Sequence, residues 1–330
     1  MTAGGRQRQD KAGFPAERDP KTKGAAPRAS KTRTSTKKTS AAQRGKERVG
    51  IIGPGRMGLA MAKHLLKAGH PVTATDVNAN QLALARKIGC DTVKTAAEVG
   101  RDCTFVIIAV GYDEETMECV AGKNGLLETM KPGSIIAVSS TVALDTIRKV
   151  DAICATRKID VYDAPICRGR WAADAGTLLA LVGGKPNVVK RAGPIYSTFC
   201  SDIRPLGGVG FGQFGKAMNN YLLWVNSIGL MEAGRMGEAI GVDLPTLRDA
   251  LLISSGGSQA LIDWDMTTFT WAAKDMQCVS KMSDEFGLSL PIMGAVKELT
   301  KEARRVKATN PPDWTGTLAK EKRNKGKGRA

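Results

Sequence analysis

Lys216 and Asn220 stand four residues apart in the run Gly210-Phe211-Gly212-Gln213-Phe214-Gly215-Lys216-Ala217-Met218-Asn219-Asn220. In a helix that spacing puts both side chains on one face, one turn apart. A lysine so placed can take a proton from an alcohol or return one to a carbonyl, provided burial beside a positive group weakens its hold on the proton. The neighbouring amide can orient the reacting molecule. The same spacing also fits an ordinary surface lysine. A second segment, Val49-Gly50-Ile51-Ile52-Gly53-Pro54-Gly55-Arg56-Met57-Gly58, carries glycines in the order of a dinucleotide-binding loop. Gly53 permits the tight turn out of a strand, Gly55 lets backbone approach a pyrophosphate, and Gly58 lets the next helix pack on the sheet. Pro54, Arg56 and Met57 complete the loop, whose helix N-terminus faces negative phosphate. A cradle of this kind and a proton-handling lysine together point to hydride transfer.

The elements that must position these residues are legible as alternating patterns. Short apolar runs at Arg48–Ile52, Val72–Asp76, Phe105–Val110, Ser134–Val138, Val161–Asp163 and Leu178–Val182 read as strands, separated by stretches long enough for crossover helices. The pattern predicts an α/β fold with a parallel, doubly wound sheet over residues 48–209, a Rossmann nucleotide-binding domain. From Gly210 to residue 318 long helical periods follow, punctuated by Gly241, Pro245, the Ser254–Ser258 cluster and Gly287 to Pro291, which predicts an all-α domain. Asp76 ends the second strand, about twenty residues beyond the loop. It can accept from both ribose hydroxyls and repel a 2′-phosphate, which favours NAD without excluding NADP. A turn or helix-cap carboxylate before Asn78 is the alternative.

Composition sets the remaining bounds. The net charge of +17 is concentrated at the ends: residues 1–48 contribute +10 and residues 319–330 contribute +5, leaving +2 for the body between. Residues 1–47 are polar and basic with few apolar side chains, so a disordered tail is expected there, and 319–330 form a second basic tail. Weak contact with nucleic acid or an acidic partner through these tails is the functional reading, and simple solubilising extension the plain one. No run of about eighteen apolar residues and no secretory leader is seen, so a cytoplasmic protein without membrane attachment is expected. The seven cysteines show no Cys-x-x-Cys pairing, which argues for reduced thiols and no metal. The two histidines, His64 and His70, fall on or just after the first Rossmann helix and read as packing or surface residues.

Four blocks, in order, resemble the β-hydroxyacid dehydrogenase family, which includes 3-hydroxyisobutyrate dehydrogenase, and the likeness spans residues 48–310. They are the loop Gly53-x-Gly55-x-Met57-Gly58, the pair Ser140-Thr141, the run Asp163-Ala164-Pro165-Ile166-Cys167-Arg168-Gly169, and Gly210-x-Gly212-x-x-x-Lys216-x-x-Asn219-Asn220. The resemblance implies NAD(P)-dependent interconversion of a small 3-hydroxy acid and its carbonyl form. It assigns Lys216 as general acid/base. Ser140, Thr141, Cys167, Arg168, Gly169, Asn220 and Lys274 would hold the anionic substrate, and Val110, Thr141 and Lys274 would lie against the cofactor. Lys274-Asp275 resembles a pair that closes the site from the helical domain. A homodimer or homotetramer is also implied.

This chain departs from that pattern at Cys167-Arg168, where relatives mostly carry Ser-Gly. A thiol replaces a hydroxyl donor, and a fixed cation appears. Arg168 either points inward to pair with a second acid group on the substrate or is taken by a neighbour such as Asp174. Cys167 is either a reactive thiol or a packed substitute for serine. Two other functions are open to such a chain: an imine reductase on the same scaffold, against which Lys216 counts, and a noncatalytic nucleic-acid-binding protein with the dehydrogenase fold.

Overall fold

The computed structural model describes residues 46–318, so almost all of the expected tail 1–47 and the whole of 319–330 lie outside the described residues. Its last two residues belong to the folded body. The Glu47 carboxylate accepts from Thr104 Oγ1 (2.6 Å) and Arg191 Nη2 (3.1 Å), and Lys46 donates to the carbonyl of Ala68.

Six strands form the parallel part of the sheet, β1 (Val49–Ile52), β2 (Val72–Thr75), β3 (Asp91–Thr92), β4 (Phe105–Ile108), β5 (Ile135–Val138) and β6 (Asp160–Asp163), in the order β3-β2-β1-β4-β5-β6. Helices α1 (Arg56–Lys67), α2 (Ala79–Lys87), α3 (Ala96–Asp102), α4 (Asp113–Ala121) and α5 (Leu144–Thr156) make the crossovers. β1, β4 and β5 are buried at every position, because helices cover both faces of the sheet. Beyond β6 the pattern changes. β7 (Ile166–Cys167), α6 (Gly169–Ala175), β8 (Leu178–Gly183), α7 (Pro186–Tyr196) and β9 (Cys200–Gly207) follow, with β8 antiparallel to β6 and β7 and parallel to β9. The parallel, doubly wound sheet holds through β6, and only the strand expected at Leu178–Val182 runs against it. The link from β7 to β8 is too short for a crossover and reverses the chain.

The C-terminal half is built on α8 (Phe211–Ile240), whose thirty residues span about 45 Å. It runs between two left-handed glycines, Gly210 (φ +98°) and Gly241 (φ +84°). Around it lie α9 (Leu244–Leu252), α10 (Gln259–Ile262), α11 (Ala272–Glu285) and α12 (Pro291–Thr309), with α11 and α12 packed along its flank. The segment after α12 crosses α8: Trp314 is fully buried and donates its indole N–H to the carbonyl of Leu230 (3.1 Å). A side chain at Gly234 would come within 2.4 Å of Pro312, so the crossing requires glycine there.

Two apolar cores lie on the two faces of the sheet. One, including Ile51, Met61, Leu65, Phe105, Tyr162 and Tyr196, sits under α1 and α7. The other, including Val106, Ile108 and Val138, continues through Val142 and Leu144 to Ala217, Trp224, Met276 and Trp314. The helical half is thus seated on one face of the nucleotide-binding half. No helix among the described residues is long and apolar enough to cross a membrane.

Candidate active site

Three glycines of the first loop meet three different surroundings. A Cβ on Gly53 (φ +84°) would stand 2.7 Å from the carbonyl oxygen of Ala109, and one on Gly58 would stand 2.3 Å from the carbonyl of Gly53. Both positions require glycine for the turn and for the approach of α1 to the sheet. A Cβ on Gly55 would meet nothing within 4 Å. That open space faces the start of α1, whose first turn has no side-chain cap and no acidic residue. Arg56 is exposed there and adds a positive charge to the positive end of the helix. An anion is the missing complement, so the loop fits a dinucleotide pyrophosphate. Pro54 is buried and Met57 packs against the sheet core, which fixes the loop from below. Asp76 follows β2 and takes the backbone N–H of Asn78 on Oδ1 (2.7 Å), while Asn78 caps α2 through the N–H of Asn80 (2.9 Å). The turn-forming role foreseen for Asp76 is therefore present.

The ends of β4 and β5 are tied together beside this loop. Ser140 Oγ accepts from the N–H of Val110 (2.9 Å), so the serine hydroxyl is spent on backbone and is buried. Gln213, in the first turn of α8, donates to the carbonyl of Ser140 (2.9 Å) and accepts from the N–H of Val142 (3.1 Å). Lys274, on α11, donates to the carbonyls of Gly111 and Thr141, the latter at 2.8 Å, and its Nζ lies 5.4 Å from the centre of the Tyr112 ring and 5.9 Å from that of Trp271. These two residues fasten the helical half to the loops at the C-terminal ends of the strands, where ligands of open α/β sheets bind.

α8 itself is held by an acid from the sheet. Asp163, at the end of β6, is fully buried and its Oδ2 accepts from the N–H groups of Gly210 (2.9 Å) and Gln213 (3.1 Å). Burial pushes its carboxyl up to about 7, against the opposing pull of the amides of Gln213, Gly210 and Gly212. The approach is possible because Gly183 and Gly212 lack side chains: a Cβ on Gly212 would stand 2.7 Å from the Asp163 carbonyl.

One turn further along, Lys216 points its ammonium group at Cys167, with Nζ 3.8 Å from Sγ. Cys167 is buried at the end of β7, so the chain segments carrying the expected proton carrier and the expected substrate loop meet. Asn220 is buried on the same face of α8 and takes the side-chain N–H of Asn219 on Oδ1 (3.0 Å). Its amide also lies near the carboxylate of Asp275, the residue after Lys274, and favours the charged form of that group. Gly169 has φ +70° with open space around it.

Arg168 is the residue whose direction the sequence left open. Its backbone is left-handed (φ +81°), and its Nη1 donates to the carbonyl of Thr177 (3.1 Å), to Ser201 Oγ (2.8 Å) and to Asp202 Oδ2 (2.9 Å). The bond from Arg168 holds the Asp202 carboxyl below its ordinary range. The guanidinium is thus taken by a neighbour, and the neighbour is Asp202; Asp174 instead faces Arg170 at 3.7 Å. His64 contacts the Ala173 carbonyl (3.0 Å) under α6, which gives it a packing role. Sequence reasoning assigned no role to Asp163, Gln213 or Trp224. For Trp224 a signal existed, since residues 216, 220 and 224 recur at the same helical spacing.

A nucleotide-binding sheet faced by a helix bearing a lysine and an amide defines a nicotinamide-dependent oxidoreductase. Residues 48–208 match the model of the NAD binding domain of 6-phosphogluconate dehydrogenase, and residues 210–314 match that described as NAD-binding of NADP-dependent 3-hydroxyisobutyrate dehydrogenase. The chain is 30% identical over 276 residues to the human mitochondrial 3-hydroxyisobutyrate dehydrogenase, covering 82% of this chain and 79% of that one. It is 29% identical over 273 residues to the NAD-dependent L-serine dehydrogenase of Pseudomonas aeruginosa, covering 83% and 90%. A solved structure of Mycobacterium tuberculosis 3-hydroxyisobutyrate dehydrogenase with L-serine superposes with a TM-score of 0.73 at 22% identity, over 81% of this chain and 95% of that one, and shares the fold. The chain belongs to the β-hydroxyacid dehydrogenase family and is an NAD(P)-dependent oxidoreductase acting on the CH–OH group of a hydroxy acid.

Proposed function

We propose that the substrate is a small 3-hydroxy acid with a single carboxylate, that Lys216 is the general acid/base, and that NAD is preferred over NADP. The observation that carries this reading is the meeting of Lys216 Nζ with Cys167 Sγ at 3.8 Å, with Asn220 buried one turn away. When bound, the nicotinamide supplies the acceptor for the hydride. Lys216 takes the hydroxyl proton in the oxidative direction and gives it back in the reductive one. Asn220 orients the substrate, and the backbone around Cys167–Gly169 offers N–H groups to its carboxylate where side chains do not intervene. Gly53, Gly55, Arg56 and Gly58 would hold the pyrophosphate, and Asp76 the adenosine ribose. Restriction to one acid group follows from Arg168, whose guanidinium already has three partners. L-Serine and 3-hydroxyisobutyrate, the compounds for which the relatives are named, are the first substrates to try.

Exposed apolar side chains on the helical half, among them Met236, Ile240, Ile253 and Ile292, support association into a homodimer or homotetramer. The deciding experiment is Lys216→Ala, assayed with L-serine and 3-hydroxyisobutyrate by NADH absorbance. Turnover falls about 10²–10⁴-fold, as for other positioned proton carriers, while NADH binding is retained. Turnover within a few-fold of the parent enzyme would overturn the reading.

A further inference from the structure

Trp224 stands eight residues beyond Lys216 and four beyond Asn220, on the same face of α8. It is almost wholly buried, yet it is not merely core. Its indole N–H donates to Asp275 Oδ2 at 2.9 Å. Asp275 in turn lies near the Asn220 amide and in the field of Lys216 and Lys274, all of which favour its charged form. The indole plane is set from its other side by Phe269, whose ring centre is 5.2 Å away at an interplanar angle of 35°. Phe269 has φ +56°, a conformation that bulky residues rarely adopt, and it is buried. The loop before α11 thus accepts a strained backbone in order to place a ring against Trp224.

We propose that Trp224 is a positioning residue for proton transfer: its N–H holds the buried Asp275 carboxylate in place beside Asn220, so that Asn220 and Lys216 present a fixed geometry to the substrate. Burial raises the Asp275 carboxyl above its ordinary range, and the Trp224 donor is foremost among the groups that pull it back, with Lys216, Asn220 and Lys274. Cys278, one turn along α11, also lies in the field of Asp275 and of Asp113. A protonated Asp275 would present a donor where Asn220 meets an acceptor, and the amide would turn. The inference rests on the proposed role of Lys216 and Asn220, and adds a residue that neither touches substrate nor binds cofactor.

The test compares Trp224→Phe, Asp275→Asn and the double variant, with Lys216→Ala alongside, in NAD-linked oxidation of L-serine and 3-hydroxyisobutyrate. Trp224→Phe should lower kcat/KM about tenfold or more, the scale of one hydrogen bond to a charged group, with NADH affinity unchanged. The double variant should be no slower than Asp275→Asn alone, because Trp224 acts only through Asp275. Losses that multiply, or an unchanged kcat/KM, would overturn the proposal. Should Trp224→Phe fold poorly, Trp224→His, which keeps a ring donor, must recover more activity than Trp224→Leu. A readout free of turnover is the indole Nε1–H resonance of Trp224, assigned by its loss in Trp224→Phe. It must shift as Asp275 titrates and stop doing so in Asp275→Asn; a pH-independent resonance would equally reject the idea. Failure of Lys216→Ala to reduce activity would instead reject the reading on which this one is built.

Discussion

The carboxylate of Asp163 accepts the N–H of Gly210 at 2.9 Å, so a buried acid from the last parallel strand caps the helix that carries Lys216. The carboxyl titrates near 7, well above the roughly 3.9 of an unfolded chain. A raised value means that the native state holds the proton more tightly. Its contribution to stability is therefore complete at acid pH and is lost as the pH climbs from about 4 to about 7. Relative to Asp163→Asn, which has no such titration, the wild type should lose on the order of 2 kcal/mol between pH 5 and pH 7.5. Urea unfolding of both proteins at several pH values checks this, and a difference that does not vary with pH would contradict it.

The glycines of the cofactor loop should separate binding from folding. Gly58→Ala pushes a methyl to 2.3 Å from the Gly53 carbonyl and should cost about 1–3 kcal/mol of stability, read as a fall in Tm. Gly55→Ala meets nothing within 4 Å and should leave stability within about 0.5 kcal/mol. It should nevertheless weaken NADH binding at least tenfold, measured by fluorescence titration, because the methyl occupies the approach to the pyrophosphate.

Arg168→Gly removes three hydrogen bonds and also relieves a left-handed backbone at φ +81°. The two effects oppose each other, so stability should change by no more than about 1 kcal/mol. KM for a monocarboxylic hydroxy acid should stay within about twofold, since the guanidinium is occupied by Asp202. A tenfold rise would show that Arg168 reaches the substrate after all.

Asp76→Ser removes the carboxylate that follows β2 while keeping a small polar side chain at the turn with Asn78. Affinity for NADPH should rise relative to NADH, and equilibrium binding of each cofactor measures it. An unchanged ratio would mean that Asp76 serves only its turn.

How far the sequence revealed all this depends on whether a contact is local. β1, β4 and β5 announce themselves as unbroken apolar runs because both faces are covered. β9 is mostly exposed and contains Arg204 and Pro205, and it is a strand only by register with β8, which no local pattern encodes. β3 and β7 are two residues each, too short for any periodicity to show. In the site, helical spacing put Lys216 and Asn220 on one face but also fitted a surface lysine, and their expected roles came from the family resemblance. Asp163 and Gln213 act on partners far along the chain, and their roles emerge only when β6, the loop after β5 and α8 are brought together. Arg168 had acids available at both 174 and 202; geometry decided, since Asp174 faces Arg170 on its own helix.

The crossing from Gly207 to Gly210 has a mechanical meaning. The glycine loop and Asp76 precede it, whereas Lys216, Asn220, Trp224 and Asp275 all follow it on packed helices. On the proposed roles, the electron pair and the proton of the reaction would be handled from opposite sides of this joint. Gly207 (φ +142°) and Gly210 (φ +98°) shape that joint, while Asp163, Gln213 and Lys274 pin the two sides of it together, so the proposed proton relay would meet the cofactor already assembled.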